Sequence, residues 1–294
     1  MAEMLLDALL DAVIDTVKLI PFLFVTYLVM EWLERKTEEK SEQMLGRVGR
    51  FGPIFGGIVG IVPQCGFSAS ASSLYAGGVI SVGTLLAVFL STSDEMLPIF
   101  ISEQVAIPTM LKILLSKAVI GVASGLALDF FLRFTKYRYK TEKRIQDLCE
   151  DEHCGCGEGG EEGGIFRSAL VHTLHITVFV FLITLVLTVL VEGFGHDAIA
   201  GLLTNRPIVG VLLSALIGLI PNCAASIMIT QLYLDGILGA GQMMAGLLVG
   251  AGVGLLVLFR TNERHESENV KITLILYAIG VFWGLLIEAL GIVF

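Results

Sequence analysis

The amino-acid sequence predicts an all-α integral membrane protein made of two inverted repeats, each with three transmembrane helices and one re-entrant helical hairpin. The first observation behind this prediction is composition: 55% of the 294 residues are hydrophobic and only 16% are charged. Soluble domains usually have about 25% charged residues. The second observation is an internal repeat, and the third is the distribution of basic residues among the loops.

Six apolar segments are each long enough, or nearly so, to cross a membrane as a helix. They are 19–33, 79–103, 106–132, 173–191, 237–259 and 270–294. A hydrocarbon core of about 30 Å takes roughly 20 helical residues, and lipid-exposed backbone must satisfy its own hydrogen bonds. The N-terminal segment is acidic and lacks the basic region and cleavage site of a secretory signal, so we expect it to be retained.

The internal repeat is centred on two motifs, Pro-Gln-Cys at 63–65 and Pro-Asn-Cys at 221–223. A fixed offset of 158 residues (221 − 63) aligns them without gaps. The same offset pairs other identical residues: Ser68 with Ser226, Leu74 with Leu232, Tyr75 with Tyr233, Gly78 with Gly236, and Gly83 with Gly241. The alternative is chance similarity between apolar helices, but matched proline, cysteine and tyrosine favour a true repeat, which is typical of transporters.

Basic residues predict the orientation. They are concentrated in loops 34–52, 133–167 and 260–271, which the positive-inside rule places in the cytoplasm. The first two loops must then be separated by an even number of crossings, although three apolar stretches lie between them. Pro63 removes a backbone donor from the first of these stretches, so we expect residues 52–77 to form a re-entrant hairpin.

The same construction predicts a second hairpin at 207–236 that enters from the outside, with both chain termini outside. The organisation is then a first membrane repeat at 1–132, a cytoplasmic linker at 133–166, and a second, inverted repeat at 167–294. Tips that enter from opposite faces would meet near the bilayer midplane, where irregular backbone lines a cavity. We therefore expect a substrate site there, formed by Gln64, Cys65, Ser68, Asn222, Cys223 and Ser226.

Each group at the tips suits ligand binding. The amides donate and accept hydrogen bonds, the thiols of Cys65 and Cys223 are soft metal ligands, and Asn222 suits the N-cap of the half-helix that follows it. The alternative is that both cysteines are small packing residues, since free cysteine is commonly buried.

The segment STSDEM at 91–96 interrupts an apolar run with two carboxylates, Asp94 and Glu95. One acidic side chain at the centre of a membrane helix costs roughly 2.5–3.5 kcal/mol. We expect this pair to bind a cation or carry protons within one helix at 79–103, with oxygen ligands from Ser91, Thr92 and Ser93. The alternative is an ordinary outer loop. In the other half, Gly246, Gly250 and Gly254 predict a smooth helix-packing face.

The predicted linker contains the segment CEDEHCGC at 149–156. Its Cys149, His153, Cys154 and Cys156 are close enough to bind a soft or borderline metal, although the spacing matches no structural zinc site. The alternative is an unstructured acidic linker. Five cysteines in a membrane chain of this length do not indicate a disulfide framework.

The doubled Pro-Gln-Cys and Pro-Asn-Cys motifs, the SxSDE segment and the Cys/His loop resemble the ten-transmembrane heavy-metal exporter family, whose members are labelled arsenic efflux proteins or manganese transporters. The resemblance covers nearly the whole chain. It implies export of a metal or metalloid across the cytoplasmic (inner) membrane and leaves the ion open. Six crossings and four half-helices would supply ten apolar segments.

The function expected is that of a secondary transporter for a heavy-metal cation or metalloid, manganese or arsenite-like, in exchange for protons. No nucleotide-binding loop of the GxxxxGK[ST] type occurs in the sequence, so ATP is not the expected energy source. The alternatives are an organic or inorganic anion carrier and, in another class, a membrane-embedded metal sensor or enzyme. We expect membrane lipid as a partner, no permanently bound cofactor and, at net charge −9, no nucleic acid; a homodimer is left open.

Overall fold

The computed structural model describes part of 9–28 and the ranges 51–62, 65–93, 96–134, 163–194 and 207–294. Most residues in these ranges are helical, and no β-strand occurs among them. The helices are, in chain order, α1 within 9–28, α2 at 51–59, α3 Cys65–Ala76, α4 Val82–Ser91, α5 Met96–Ser102, α6 Ile107–Phe134, α7 Gly163–Phe194, α8 Pro207–Gly218, α9 Cys223–Leu234, α10 Ala240–Val249, α11 Val253–Thr261 and α12 Glu266–Ala289.

The all-helical fold is that of a multi-pass membrane protein. Within the described ranges, three stretches are long and apolar enough to span a bilayer: Ile107–Leu132, Ala240–Thr261 and Glu266–Ala289. Large apolar side chains are exposed on the outside of α6, α7 and α12, among them Val119, Leu174 and Leu274. Such a surface is unusual for a protein in water and suits contact with lipid.

The helix breaks expected at the two motifs are present. Helical residues end at 59 and resume at Cys65, and in the second half α8 ends at Gly218 and α9 begins at Cys223. The second motif therefore lies between two helices of 12 residues each, about half the length needed to cross a membrane. The first motif lies between the described helical residues 51–59 and the 12-residue α3.

Helices that are 158 residues apart have matching bounds. Cys65–Ala76 and Cys223–Leu234 correspond end to end, since 65 + 158 = 223 and 76 + 158 = 234. Val82–Ser91 and Ala240–Val249 correspond in the same way, since 82 + 158 = 240 and 91 + 158 = 249. The sequence offset is thus also an offset between elements of local structure.

The turns that follow α3 and α9 match as well. Gly78 and Gly236 both have φ 73°, a left-handed conformation that glycine adopts without a steric penalty. The next amide donates back into each helix, from Val79 to the Leu74 carbonyl at 2.8 Å and from Ile237 to the Leu232 carbonyl at 2.9 Å. The identical glycines therefore end two equivalent helices.

Packing within each half relies on small residues. In α6, Gly121 and Gly125 lie against α4, and a Cβ on Gly125 would be 2.4 Å from the Gly83 carbonyl oxygen. In α12, Gly284 lies against α10, and a Cβ there would be 2.8 Å from the Gly241 carbonyl oxygen. Glycines at four-residue spacing let membrane helices approach this closely.

Helices of each half contact helices of the other half. α3 of the first half lies along α11 of the second, while α9 of the second half contacts α5 of the first. A smaller apolar cluster joins α1 and α7 to this arrangement through Leu23, Tyr27, Ile176 and Val257. α3 is thus held mainly by the opposite half of the chain, whereas α9 also packs against α8 and α10 of its own half.

Candidate functional site

The polar segment of the first half lies in a helix break. Residues 79–103 were predicted as one helix, and that is wrong: α4 ends at Ser91 and α5 begins at Met96. Ser91, Thr92 and Ser93 are only 0%, 4% and 2% exposed. An ordinary outer loop would be hydrated, so this part of the segment is a buried interruption of the helix.

The hydroxyl groups of the break all donate to backbone carbonyls. Ser91 Oγ donates to Ala87 O at 2.7 Å, Thr92 Oγ1 donates to Val88 O at 2.7 Å, and Ser93 Oγ donates to Ser91 O at 3.1 Å. A hydroxyl that has donated its proton still offers lone pairs. Each oxygen therefore keeps lone pairs, while Ser91 Oγ packs against Gly60 of the segment before the first motif.

A second break lies at the corresponding place in the other half. The stretch predicted at 237–259 is long and apolar enough to span as Ala240–Thr261, but it is not one continuous helix, because α10 ends at Val249 and α11 begins at Val253. Gly252 has φ 53° and ψ −138°, a conformation open almost only to glycine. Gly246 does pack against neighbouring helices, with Ile229 Cδ1 2.5 Å from the position of a Cβ. Gly250, however, is the C-cap of α10 and belongs to no continuous face.

The matched serines both lie against this second break. A Cβ built on Gly250 would be 3.2 Å from Ser226 Oγ, and one built on Gly254 would be 2.8 Å from Ser68 Cβ. Ser68 is fully buried and Ser226 is partly buried. The structure therefore brings two of the predicted site residues, one from each half, to opposite ends of one interruption.

The other predicted residues at the tips are described only in part. α3 begins at Cys65 and α9 at Cys223. Asn222 is 4% exposed and directly precedes α9, at the predicted N-cap position. Gln64 and the side chains of both cysteines lie outside the described residues. Sulfur ligation therefore stays a prediction.

Asp94 and Glu95 also lie outside the described residues, as does the whole loop with Cys149, His153, Cys154 and Cys156. In the ranges that the structure does describe, no group of three or more His, Cys, Asp or Glu side chains is arranged to hold a metal ion.

Lys117 is a central residue that the sequence analysis did not identify. It lies on α6, is 1% exposed, and its Nζ donates to the carbonyl oxygens of Thr92 and Leu247, the latter at 2.9 Å. The first carbonyl is at the end of α4 and the second is in the last turn of α10. The available signal was a lysine in the apolar stretch between Lys112 and Asp129, since a charge within a membrane helix is rare without a functional reason.

Asp129 was missed as well. Its Oδ1 accepts from Gly83 N at 2.9 Å, and its Oδ2 accepts from Ser81 Oγ at 2.6 Å. This carboxylate thus caps the N-terminus of α4, where the helix dipole favours negative charge. In the second half, Glu288 lies next to Gly239 and Gly241, at the start of α10. Both acidic residues lie four positions after the second glycine of a GxxxG motif, which was the signal in the sequence.

Comparison with known proteins identifies the family. Residues 1–156 match a sequence model described as "Putative, 10TM heavy-metal exporter", just over half of the 294 residues. The match contains the first proline motif, the SxSDE segment and the Cys/His loop. No curated protein and no solved structure matched the chain. The chain therefore belongs to this family of heavy-metal exporters, which are transport proteins and not enzymes.

Proposed function

We propose that the protein is a secondary transporter that exports a heavy-metal cation or metalloid, manganese or arsenite-like, across the cytoplasmic membrane in exchange for protons. Transport uses alternating access between two inverted repeats, 1–132 and 167–294, joined by a cytoplasmic linker. The single observation that carries this proposal is the convergence of interrupted helices from both halves on one buried polar region. Such interruptions at mid-membrane depth are tolerated where they line a substrate path.

Two further features support the inverted arrangement. The helices have matching bounds at an offset of 158 residues, and the helix after each motif contacts the other half, α3 along α11 and α9 at α5. In the proposed topology the segments 52–77 and 207–236 are re-entrant hairpins that enter from opposite faces. Their tips would then place Gln64, Cys65, Asn222 and Cys223 beside Ser68 and Ser226.

The proposed coupling site is the α4–α5 interruption. Ser91 and Ser93 are buried, and Asp94 and Glu95 follow them directly in the sequence, which supports the choice of this segment. Carboxylate and hydroxyl oxygens suit manganese, while the thiols of the tips would suit arsenite or a soft cation. A cation and protons could then use one set of oxygens in turn. The proposed loop site at 149–156 would collect metal on the cytoplasmic side.

The anion carrier remains the second candidate, and the buried charge of Lys117 is the observation that favours it. Two contacts of its Nζ are, however, with carbonyl oxygens. These oxygens carry partial negative charge and repel an anion at the same place. The cation or metalloid is therefore the better-supported cargo.

The experiment is a metal-sensitivity profile. Cells that lack the gene are compared with cells that carry it across manganese, zinc, cobalt, cadmium and arsenite. We expect the deletion to increase sensitivity to one or two of these species and to raise their cellular content. An unchanged profile for all five would contradict export. Uptake of the identified species into inside-out vesicles, with and without a proton gradient, then tests the coupling.

A further inference from the structure

Lys117 is surrounded by protein at the point where the two halves meet. Its Nζ donates to Thr92 O in the first half and to Leu247 O in the second. Carbonyls in the last turn of a helix have no intrahelical N–H partner, and each helix end carries roughly half a negative charge. The ammonium group therefore lies where two helix ends together present a charge of about −1.

We propose that these two carbonyl oxygens belong to a binding site for a hard divalent cation, and that the Lys117 ammonium occupies this site when no cargo is bound. This inference rests on the proposed function and specifies its substrate class. Manganese suits carbonyl and other oxygen ligands, and two carbonyl oxygens meet at the Lys117 ammonium. Arriving Mn²⁺ takes the carbonyls from the ammonium, and the returning ammonium helps to release it.

Thr92, which supplies one of these carbonyls, lies in the buried α4–α5 interruption. The hydroxyls of Ser91, Thr92 and Ser93 donate to backbone carbonyls of α4 and of the interruption itself, so they add no positive charge at this place. A site of this kind attracts a cation and offers little to neutral arsenite, which carries no charge to exchange with the ammonium.

A purely structural role of Lys117 would have a different consequence for cation binding than competition with the cargo. If Lys117 only neutralised two helix ends, its removal would lower stability and leave cation affinity unchanged or weakened. If it competes with cargo, its removal should strengthen cation binding, because a positive charge a few ångströms away no longer opposes it. The direction of the change in affinity therefore separates the two roles.

The test compares Lys117→Gln, Lys117→Arg and wild type as purified full-length proteins, with Mn²⁺ binding measured by calorimetry and arsenite binding measured in parallel. Lys117→Gln removes the charge and keeps an amide donor, so we expect Mn²⁺ to bind at least roughly tenfold more tightly and export to slow. Arsenite affinity should not change. Lys112→Gln is the matched control, because Lys112 is exposed on the same helix and its loss should alter neither affinity.

If the Lys117→Gln protein does not fold, Mn²⁺ binding by Lys117→Arg provides the test. Its guanidinium group retains the charge and has more donors for the two carbonyls, so Mn²⁺ should bind less tightly than in wild type. Tighter or equal binding by this variant, or unchanged binding by a folded Lys117→Gln protein, would overturn the inference and leave export intact. A wild-type protein that binds neither Mn²⁺ nor arsenite would overturn the proposed function and this inference together.

Discussion

Ser72 and Gly254 join the two halves of the chain by a hydrogen bond: Ser72 Oγ donates to the Gly254 carbonyl oxygen at 2.7 Å. Ser72 is fully buried on α3, and Gly254 is in the first turn of α11, directly after the second helix break. The helix that follows the first motif is thus tied to the interruption in the opposite half. Motion of either one must be shared with the other or must break this bond.

Loss of this bond should loosen the contact between the halves. We expect Ser72→Ala to lower the free energy of unfolding by about 0.6 kcal/mol and by no more than roughly 1.7 kcal/mol, the range found for hydrogen bonds between membrane helices. Thermal unfolding in detergent measures the change. Ser102→Ala is the control, because its exposed hydroxyl bonds only to Ile99 O within its own turn. Equal stability of both variants would show that the Ser72 bond contributes nothing.

The cap on α4 gives a second prediction. Asp129→Ala removes the acceptor for Gly83 N and Ser81 Oγ, so it should destabilise the protein by about 1 kcal/mol. Asp129→Asn keeps one acceptor oxygen and should recover part of the loss. The same thermal measurement applies, with the exposed Glu103→Ala as control. A melting temperature that is unaffected in Asp129→Ala would contradict the capping role.

The proposed coupling pair gives a third prediction. Asp94→Asn and Glu95→Gln keep the size of each side chain and remove its charge, so the double variant should fold normally and lose proton-coupled metal transport. Size-exclusion chromatography checks folding, and metal flux in proteoliposomes checks activity. Asp235→Asn is a comparison at an exposed position in the second half. Wild-type flux in the double variant would rule out this pair as the coupling site.

The thiols of the tips give a fourth prediction. If sulfur binds the cargo, Cys65→Ala and Cys223→Ala should each weaken arsenite or soft-metal affinity by at least about tenfold, which corresponds to roughly 1.4 kcal/mol. Manganese affinity should change less, because manganese prefers oxygen ligands. Binding titrations of each single variant measure both effects. If both variants keep normal affinity for every species tested, the cysteines are packing residues.

The inverted topology gives a fifth prediction. Single cysteines introduced at Gln64 or at Asn222, in a background without other reactive thiols, should react with a membrane-impermeant maleimide from opposite sides of the membrane. Position 64 should react from the cytoplasmic side and position 222 from the outside. Cys149, restored alone, provides a cytoplasmic reference in the linker. Reaction of both test positions from one side would refute the inverted repeats.

Local sequence features predicted the positions of several helix ends. Proline in each motif removes a backbone donor and acts within one turn, and helical residues do stop before both motifs and resume at Cys65 and Cys223. Gly78 and Gly236 were paired only as identical residues of the repeat, and the structure shows that both form the left-handed turn that ends a helix. Effects confined to a few neighbouring residues can be predicted from those residues.

The interruptions after Ser91 and at 250–252 were not predicted as helix breaks. Neither contains a proline. The polar residues at 91–95 were predicted to lie within one helix at 79–103, and apolar sequence continues across 250–252. Unlike the breaks at the proline motifs, these two breaks depend on the surrounding protein, which buries the freed backbone groups and supplies their hydrogen-bond partners. Lys117 is the clearest example, because its ammonium donates to two such carbonyls. One of them belongs to Leu247, 130 residues away in the chain.

The sequence by itself determined that this is a helical membrane protein, that its two halves share one motif, and where those motifs interrupt a helix. These properties depend on composition and on interactions within a turn of the chain. Only the tertiary structure decided that α3 pairs with α11, that Ser68 and Ser226 lie against the same break, and that a buried ammonium joins the ends of α4 and α10. Those contacts link residues far apart in the chain, and their partners are selected by the packing of the whole molecule.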